Sequence, residues 1–166
     1  MPNWFRSQND TLRCQVASEI ETNQVGQMLA EKLQSGDVVA LIGDLGAGKT
    51  QFVKGVAEAL GVEPDEVSSP TFTLIQEYAG RVLIRHCDTY RLRDAEEFAD
   101  LGLDELFAAD GVALIEWADR VEEYLPRDRM IVRISIDSPT ERILEISATG
   151  SRSRAILAQL AADAGL

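Results

Sequence analysis

A lysine that follows glycines and precedes a hydroxyl residue is equipped to handle phosphate. Gly43-Asp44-Leu45-Gly46-Ala47-Gly48-Lys49-Thr50 has the spacing G-x-x-x-x-G-K-[ST] of a phosphate-binding loop. Glycines let a backbone turn tightly and bring its N–H groups to phosphate oxygens with no Cβ in the way. In this pattern Asp44, Leu45, Gly46, Ala47 and Gly48 wrap the phosphates, and Lys49 offers a point charge to the β- and γ-phosphates. The Thr50 hydroxyl is placed for Mg²⁺. The motif does not choose ATP over GTP, or phosphoryl transfer to a metabolite over hydrolysis.

Magnesium needs a second, acidic ligand, usually at the end of a neighbouring apolar strand. Two residues qualify. Glu116 ends Val112-Ala113-Leu114-Ile115-Glu116, and Asp88 ends the run from Val82 to Cys87. One of them should hold the metal and the other orient or deprotonate an attacking water; the sequence does not divide these roles. Trp117 directly follows Glu116, where a ring either shields the nucleotide or simply packs. His86 is the only histidine; two residues before an acid, it reads first as a hydrogen-bonded structural group. Cys87 reads as a small core residue. Thr71 and Thr73, beside Pro70, could form a segment that senses the γ-phosphate, but ordinary turn chemistry is the reading that their composition favours.

These residues need a scaffold. Val38 to Ile42 is a continuous apolar run and reads as a buried strand. Gln51 to Leu60 carries Phe52, Val53, Val56, Ala57 and Leu60 on one helical face. Strand, glycine loop and helix together aim N–H groups at phosphate. Upstream, residues 1–10 read as a loose leader and Thr11 to Ala17 as a short strand. Ser18 opens a helix, with Glu21 at capping-box spacing. Downstream, Phe72 to Tyr78 and Val82 to Cys87 read as a hairpin around Ala79-Gly80. Ala95 to Leu106 reads as a helix broken at Gly102. Val112 to Ile115 is a second buried strand, and Pro126 closes the helix after it. Met130 to Ile136 and Arg142 to Ala148 alternate as an antiparallel pair, and Arg154 to Ala164 is a last helix. The expected fold is α/β: one domain over 1–166, P-loop NTPase-like, a mixed sheet with a parallel core and antiparallel additions, flanked by helices.

Bulk properties narrow the class. The chain has 166 residues and a net charge of −12 with only three lysines, Lys32, Lys49 and Lys54. So acidic a chain is poorly suited to gripping nucleic acid over its whole surface, although Arg81, Arg85, Arg91 and Arg93 lie close in sequence. Cys14 and Cys87 form no C-x-x-C pair. Residues 1–13 lack the apolar core of a signal peptide, and no run reaches membrane-spanning length. A reducing cytoplasm is the expected compartment.

The motifs in series carry a resemblance. The glycine loop is followed by Ser69-Pro70-Thr71-Phe72-Thr73-Leu74, His86-Cys87-Asp88-Thr89-Tyr90-Arg91-Leu92 and Leu114-Ile115-Glu116-Trp117. This order resembles the TsaE (YjeE) family of small bacterial P-loop ATPases, over roughly Ser18 to the last strands. The resemblance implies a Mg²⁺-dependent ATPase needed to make threonylcarbamoyladenosine beside the tRNA anticodon. It implies action through the partner proteins TsaD and TsaB, with tRNA met only through that complex and the transfer done by TsaD. It places Lys49 on the phosphates, Thr50 and Glu116 on Mg²⁺, Asp88 among the residues needed for activity, and Trp117 by the nucleotide. Thr22 and Arg142 are also implied near the nucleotide. Cys87 stands where the family commonly has an aromatic or Met, and the leader with Trp4 and Phe5 is longer than in many members.

Three other readings fit the loop. A metabolite or nucleoside kinase would use Arg91 and Arg93 on the transferred phosphoryl group. A GTP-dependent switch would need a guanine-reading Asn-Lys-x-Asp and an Asp-x-x-Gly, and the chain has neither. A scaffold that binds without turnover is disfavoured by intact Lys49, Thr50 and Glu116.

Overall fold

A computed structural model of the chain describes residues 1–68 and 74–166. Its centre is one sheet of eight strands: β1 (Asn3–Arg6), β2 (Leu12–Val16), β3 (Val38–Ile42), β4 (Ile75–Ala79), β5 (Leu83–Asp88), β6 (Gly111–Glu116), β7 (Met130–Ile136) and β8 (Arg142–Ala148). Their order in space is β1-β2-β8-β7-β3-β6-β5-β4. β7, β3, β6 and β5 run parallel. β4 adds to β5, and β8, β2 and β1 extend from β7, all antiparallel. The mixed sheet expected from the sequence is the sheet observed.

Burial follows this layout. β6 is buried at every position, as a strand covered on both faces must be. The outer β2 alternates, with Leu12, Cys14 and Val16 buried. On one face lie α1 (Glu19–Ala30), α2 (Lys49–Ala59) and α5 (Ser151–Asp163), packed on Val39, Leu41, Leu114 and Val132. On the other lie α3 (Ala95–Ala99), α4 (Leu103–Leu106) and the 3-10 segment Ala118–Tyr124, packed on Val38, Ala40, Ala113 and Ile115. Gly102, at φ 86°, turns the chain between α3 and α4.

α1 and α2 meet backbone to backbone. A Cβ at Gly26 would stand 2.5 Å from the Phe52 carbonyl oxygen, and one at Gly55 would collide with that of Asn23. The Ser18 hydroxyl accepts from the Glu21 N–H at 3.2 Å. Glu21 reaches back to the N–H of Ala17 at 2.7 Å, one residue beyond the cap.

Two expectations are corrected. Residues 3–6 are not loose: Asn3 to Arg6 pair with Leu12 to Gln15 as β1. Trp4 packs on the core, and the Arg13 guanidinium lies 5.4 Å from the Phe5 ring centre. Trp4 and Phe5 stand side by side between polar residues, so the segment shows no strand alternation. The last helix begins at Ser151, before Arg154, because Asp128 accepts from the N–H groups of Arg152 (2.8 Å) and Ser153 (2.9 Å). That cap comes from a distant loop and leaves no local signal. Among the described residues no helix is long and apolar enough to cross a membrane.

Candidate active site

The glycine loop joins β3 to the first residue of α2. Gly46 (φ 81°) and Gly48 (φ 109°) adopt the left-handed conformation that side chains disfavour. Gly43 answers a different demand: a Cβ there would stand 2.6 Å from the Ile134 carbonyl oxygen on β7. The loop therefore delivers its backbone and the N-terminus of α2 to one point at the carboxyl ends of the parallel strands.

Lys49 is nearly buried, at 5% exposure. Its ammonium donates to the carbonyls of Gly43 (2.5 Å) and Asp44 (2.9 Å) and lies 4.0 Å from the Trp117 ring centre. Burial pushes its pKa down, and Glu116, then Asp88, oppose the shift. Thr50, the next residue, donates to both Glu116 oxygens, at 3.0 and 3.1 Å.

Glu116 and Asp88 end neighbouring parallel strands in register, Asp88 opposite Glu116. Glu116 is buried. The half-buried Asp88 accepts from the Tyr90 N–H at 2.9 Å. Its pKa is raised, first by burial and then by the Glu116 charge, against the pull of the Tyr90 hydrogen bond. Trp117 holds a left-handed backbone at φ 58°, and its ring lies against the Lys49 ammonium and 4.9 Å from the Tyr90 ring. Strain of this kind gathers at functional sites.

These residues share a cleft of about 460 Å³ whose wall includes Gly46, Lys49, Thr50, Asp88, Glu116 and Trp117. Leu45 and Gly48 line it too. Ala47 is buried and lines a second groove of about 290 Å³ behind the loop. Thr22 and Arg142 line that same groove. The Thr22 methyl lies 3.6 Å from the Cβ position of Gly48, and Arg142 donates to the Gly46 carbonyl at 3.3 Å. Asp44 lies on a third face of the loop, with Trp117 and Asp119. Thr71 and Thr73, and the start of the strand expected from Phe72, lie outside the described residues.

Sequence reasoning missed what holds the Asp88 loop. Arg120 donates to the carbonyls of Thr89 (2.7 Å), Tyr90 (2.5 Å) and Leu92 (2.5 Å). The Thr89 hydroxyl donates to the Trp117 carbonyl at 2.9 Å. An arginine just past a strand carries no mark that its partners are remote carbonyls. Cys87 is buried, and burial pushes its thiol up to about 12, which suits packing and not nucleophilic attack.

The donor set fits a magnesium–nucleotide. Mg²⁺ is generally held by one or two protein oxygen ligands together with substrate phosphates, not by a dedicated all-protein cage. Among the described residues no group of three or more His, Cys, Asp or Glu is arranged to hold a metal, while the Thr50–Glu116 pair beside Lys49 supplies the smaller set.

Comparisons with known proteins agree on one relationship. Residues 16–144 match the family model described as "Threonylcarbamoyl adenosine biosynthesis protein TsaE". A Bacillus subtilis protein named tRNA threonylcarbamoyladenosine biosynthesis protein TsaE is 43% identical over 150 residues, covering 90% of this chain and 93% of its own length. The Treponema pallidum protein of the same name is 39% identical over 136 residues, covering 82% of this chain and 100% of its own. The crystal structure of Bacillus subtilis YdiB superposes with a TM-score of 0.77 at 35% identity, over 98% of this chain and 97% of that one.

Proposed function

The chain belongs to the TsaE family, and from that premise we propose that it is a Mg²⁺-dependent ATPase serving tRNA threonylcarbamoyladenosine modification. One observation carries the ATPase reading: the Thr50 hydroxyl rests on the Glu116 carboxylate next to the buried Lys49 ammonium.

In this reading the loop backbone and Lys49 hold the ATP phosphates, and Thr50 and Glu116 hold Mg²⁺. The metal supplies charge neutralisation at the β- and γ-phosphate oxygens. Asp88, raised in pKa and in register with Glu116, orients the attacking water and takes its proton. Trp117 shields the site from bulk water. Thr22 and Arg142, behind the loop, contact the nucleotide from the second groove. The protein works in the cytoplasm through TsaD and TsaB, meets tRNA only through them, and does not perform the transfer itself.

The test is ATP turnover by the purified chain, with and without a TsaB–TsaD pair, beside Glu116→Ala. Turnover that needs Glu116 and responds to the pair supports the reading. Turnover by Glu116→Ala at the parent rate would sink the site assignment. A second reading, metabolite kinase, is favoured by Arg91 on the cleft wall; ATP-dependent phosphorylation of a small acceptor without partners would establish it.

A further inference from the structure

We propose that His86 is the positioning residue for Glu116: it fixes the carboxylate so that the Thr50–Glu116 pair is ready for a divalent cation. The proposal rests on the metal–nucleotide reading of the site.

His86 is 0% exposed, and its Nε2 lies 2.5 Å from Glu116 Oε2. It does not line the cleft that Glu116, Asp88 and Thr50 share, and its direct contact with that cleft's carboxylates is the Glu116 oxygen. The terminal torsion of a glutamate is broad and roughly two-fold, so a rotamer preference alone does not set where its oxygens point. Here two donors set it, with His86 assigned the tautomer that carries its hydrogen on Nε2, since an ionised carboxylate can only accept. Thr50 approaches both oxygens from α2, and His86 takes Oε2 from β5.

The imidazole is itself held. Its Nδ1 lies 3.1 Å from the Tyr78 hydroxyl. That phenol is also 2.6 Å from Gln76 Oε1 and 3.4 Å from the Ser68 carbonyl. Burial pushes the Tyr78 pKa up, so its hydroxyl keeps its hydrogen. Tyr78 and Gln76 belong to β4, the outermost strand, and Gln76 is the register partner of His86. A continuous series of side chains therefore runs from β4 through β5 and β6 to α2, and reaches the Thr50 hydroxyl. Groups that orient a metal ligand are typically worth 10- to 100-fold in metal affinity or activity.

The probe is Mn²⁺, whose affinity for the full chain bound to the β,γ-imido analogue of ATP is read by electron paramagnetic resonance. His86→Met keeps volume and removes the donor. His86→Gln places an amide N–H near the position of Nε2. Mn²⁺ should bind His86→Met about tenfold or more weakly, with metal-free nucleotide affinity unchanged, and His86→Gln should recover most of the loss. Equal Mn²⁺ affinity in His86→Met and the parent would overturn the proposal and leave the ATPase reading intact. So would equal losses in Met and Gln variants that melt like the parent, since packing alone would then explain them. If His86→Met does not fold, Tyr78→Phe decides. A weaker Mn²⁺ site in Tyr78→Phe supports the series, and parent affinity in it overturns the series. A parent chain whose nucleotide complex takes up no Mn²⁺ would remove the site reading and this inference together.

Discussion

Lys49 places one charge among three kinds of neighbour: two loop carbonyls, an indole face, and the carboxylates of Glu116 and Asp88. Lys49→Ala should therefore abolish tight ATP binding, as read by calorimetry. Glu116→Gln should still bind nucleotide but lose about a hundredfold in turnover, the usual scale for a lost transition-state contact. Asp88 gives a pH signature. Its folded pKa is raised, so the ionised form costs stability in the folded chain that the unfolded chain does not lose. The cost is absent below the ordinary carboxyl range, about pH 4, appears as pH rises toward the raised value, and is complete above it. Asp88→Asn should melt above the parent near pH 8 and no higher than it in acid, while losing turnover. A gain of equal size at both pH values would rule out burial as its cause. At this scale motif spacing and strand ends marked Lys49, Thr50, Asp88 and Glu116 as candidates, and the structure brings the four into one cleft. The sequence marked His86 as a hydrogen-bonded group, as observed, but not its partner, since a lone histidine in an apolar strand gives no sign of a carboxylate on the next strand.

α1, α2 and the Asp88 loop each depend on a contact that can be removed. Ser18→Ala takes away the α1 cap and should cost about 1 kcal/mol, measured by urea unfolding. Gly55→Ala forces a methyl into the Asn23 carbonyl and should cost about 1–3 kcal/mol or more, by overpacking. It should also weaken nucleotide binding, because α1 carries Thr22 to the back of the loop. Arg120→Ala should leave melting little changed but lower turnover, because the backbone between Asp88 and Leu92 loses its fork. Arg120→Lys should not restore it, since an ammonium is a point charge without the fixed geometry of a guanidinium. Unchanged turnover in Arg120→Ala would mean that Thr89 alone holds the loop. Strands with a period of two, such as β7 and β8, were legible to the residue. β1 was not, because Trp4 and Phe5 stand side by side and give no alternation, and the Asp128 cap of α5 was not, because it comes from far along the chain.

The whole molecule brings its chemistry to the carboxyl ends of β3, β5 and β6, where parallel strands conventionally open a ligand crevice. Under the proposed function, its charge of −12 predicts that tRNA meets this surface only with help. Fluorescence anisotropy with labelled tRNA should show direct binding no tighter than the roughly 10⁻⁴–10⁻⁶ M of non-specific contacts, and tighter retention only when the TsaB–TsaD pair is added. Tight, salt-resistant binding by the chain alone would contradict this. For anyone grafting the phosphate loop into another scaffold, the touching backbones of α1 and α2 set the size of the cassette. A transplant of β3, the loop and α2 alone would leave Gly55 as an unsupported helix glycine, about 0.5–1 kcal/mol worse than alanine, and would leave Gly48 without Thr22 behind it. The smallest portable unit begins at the Ser18 cap.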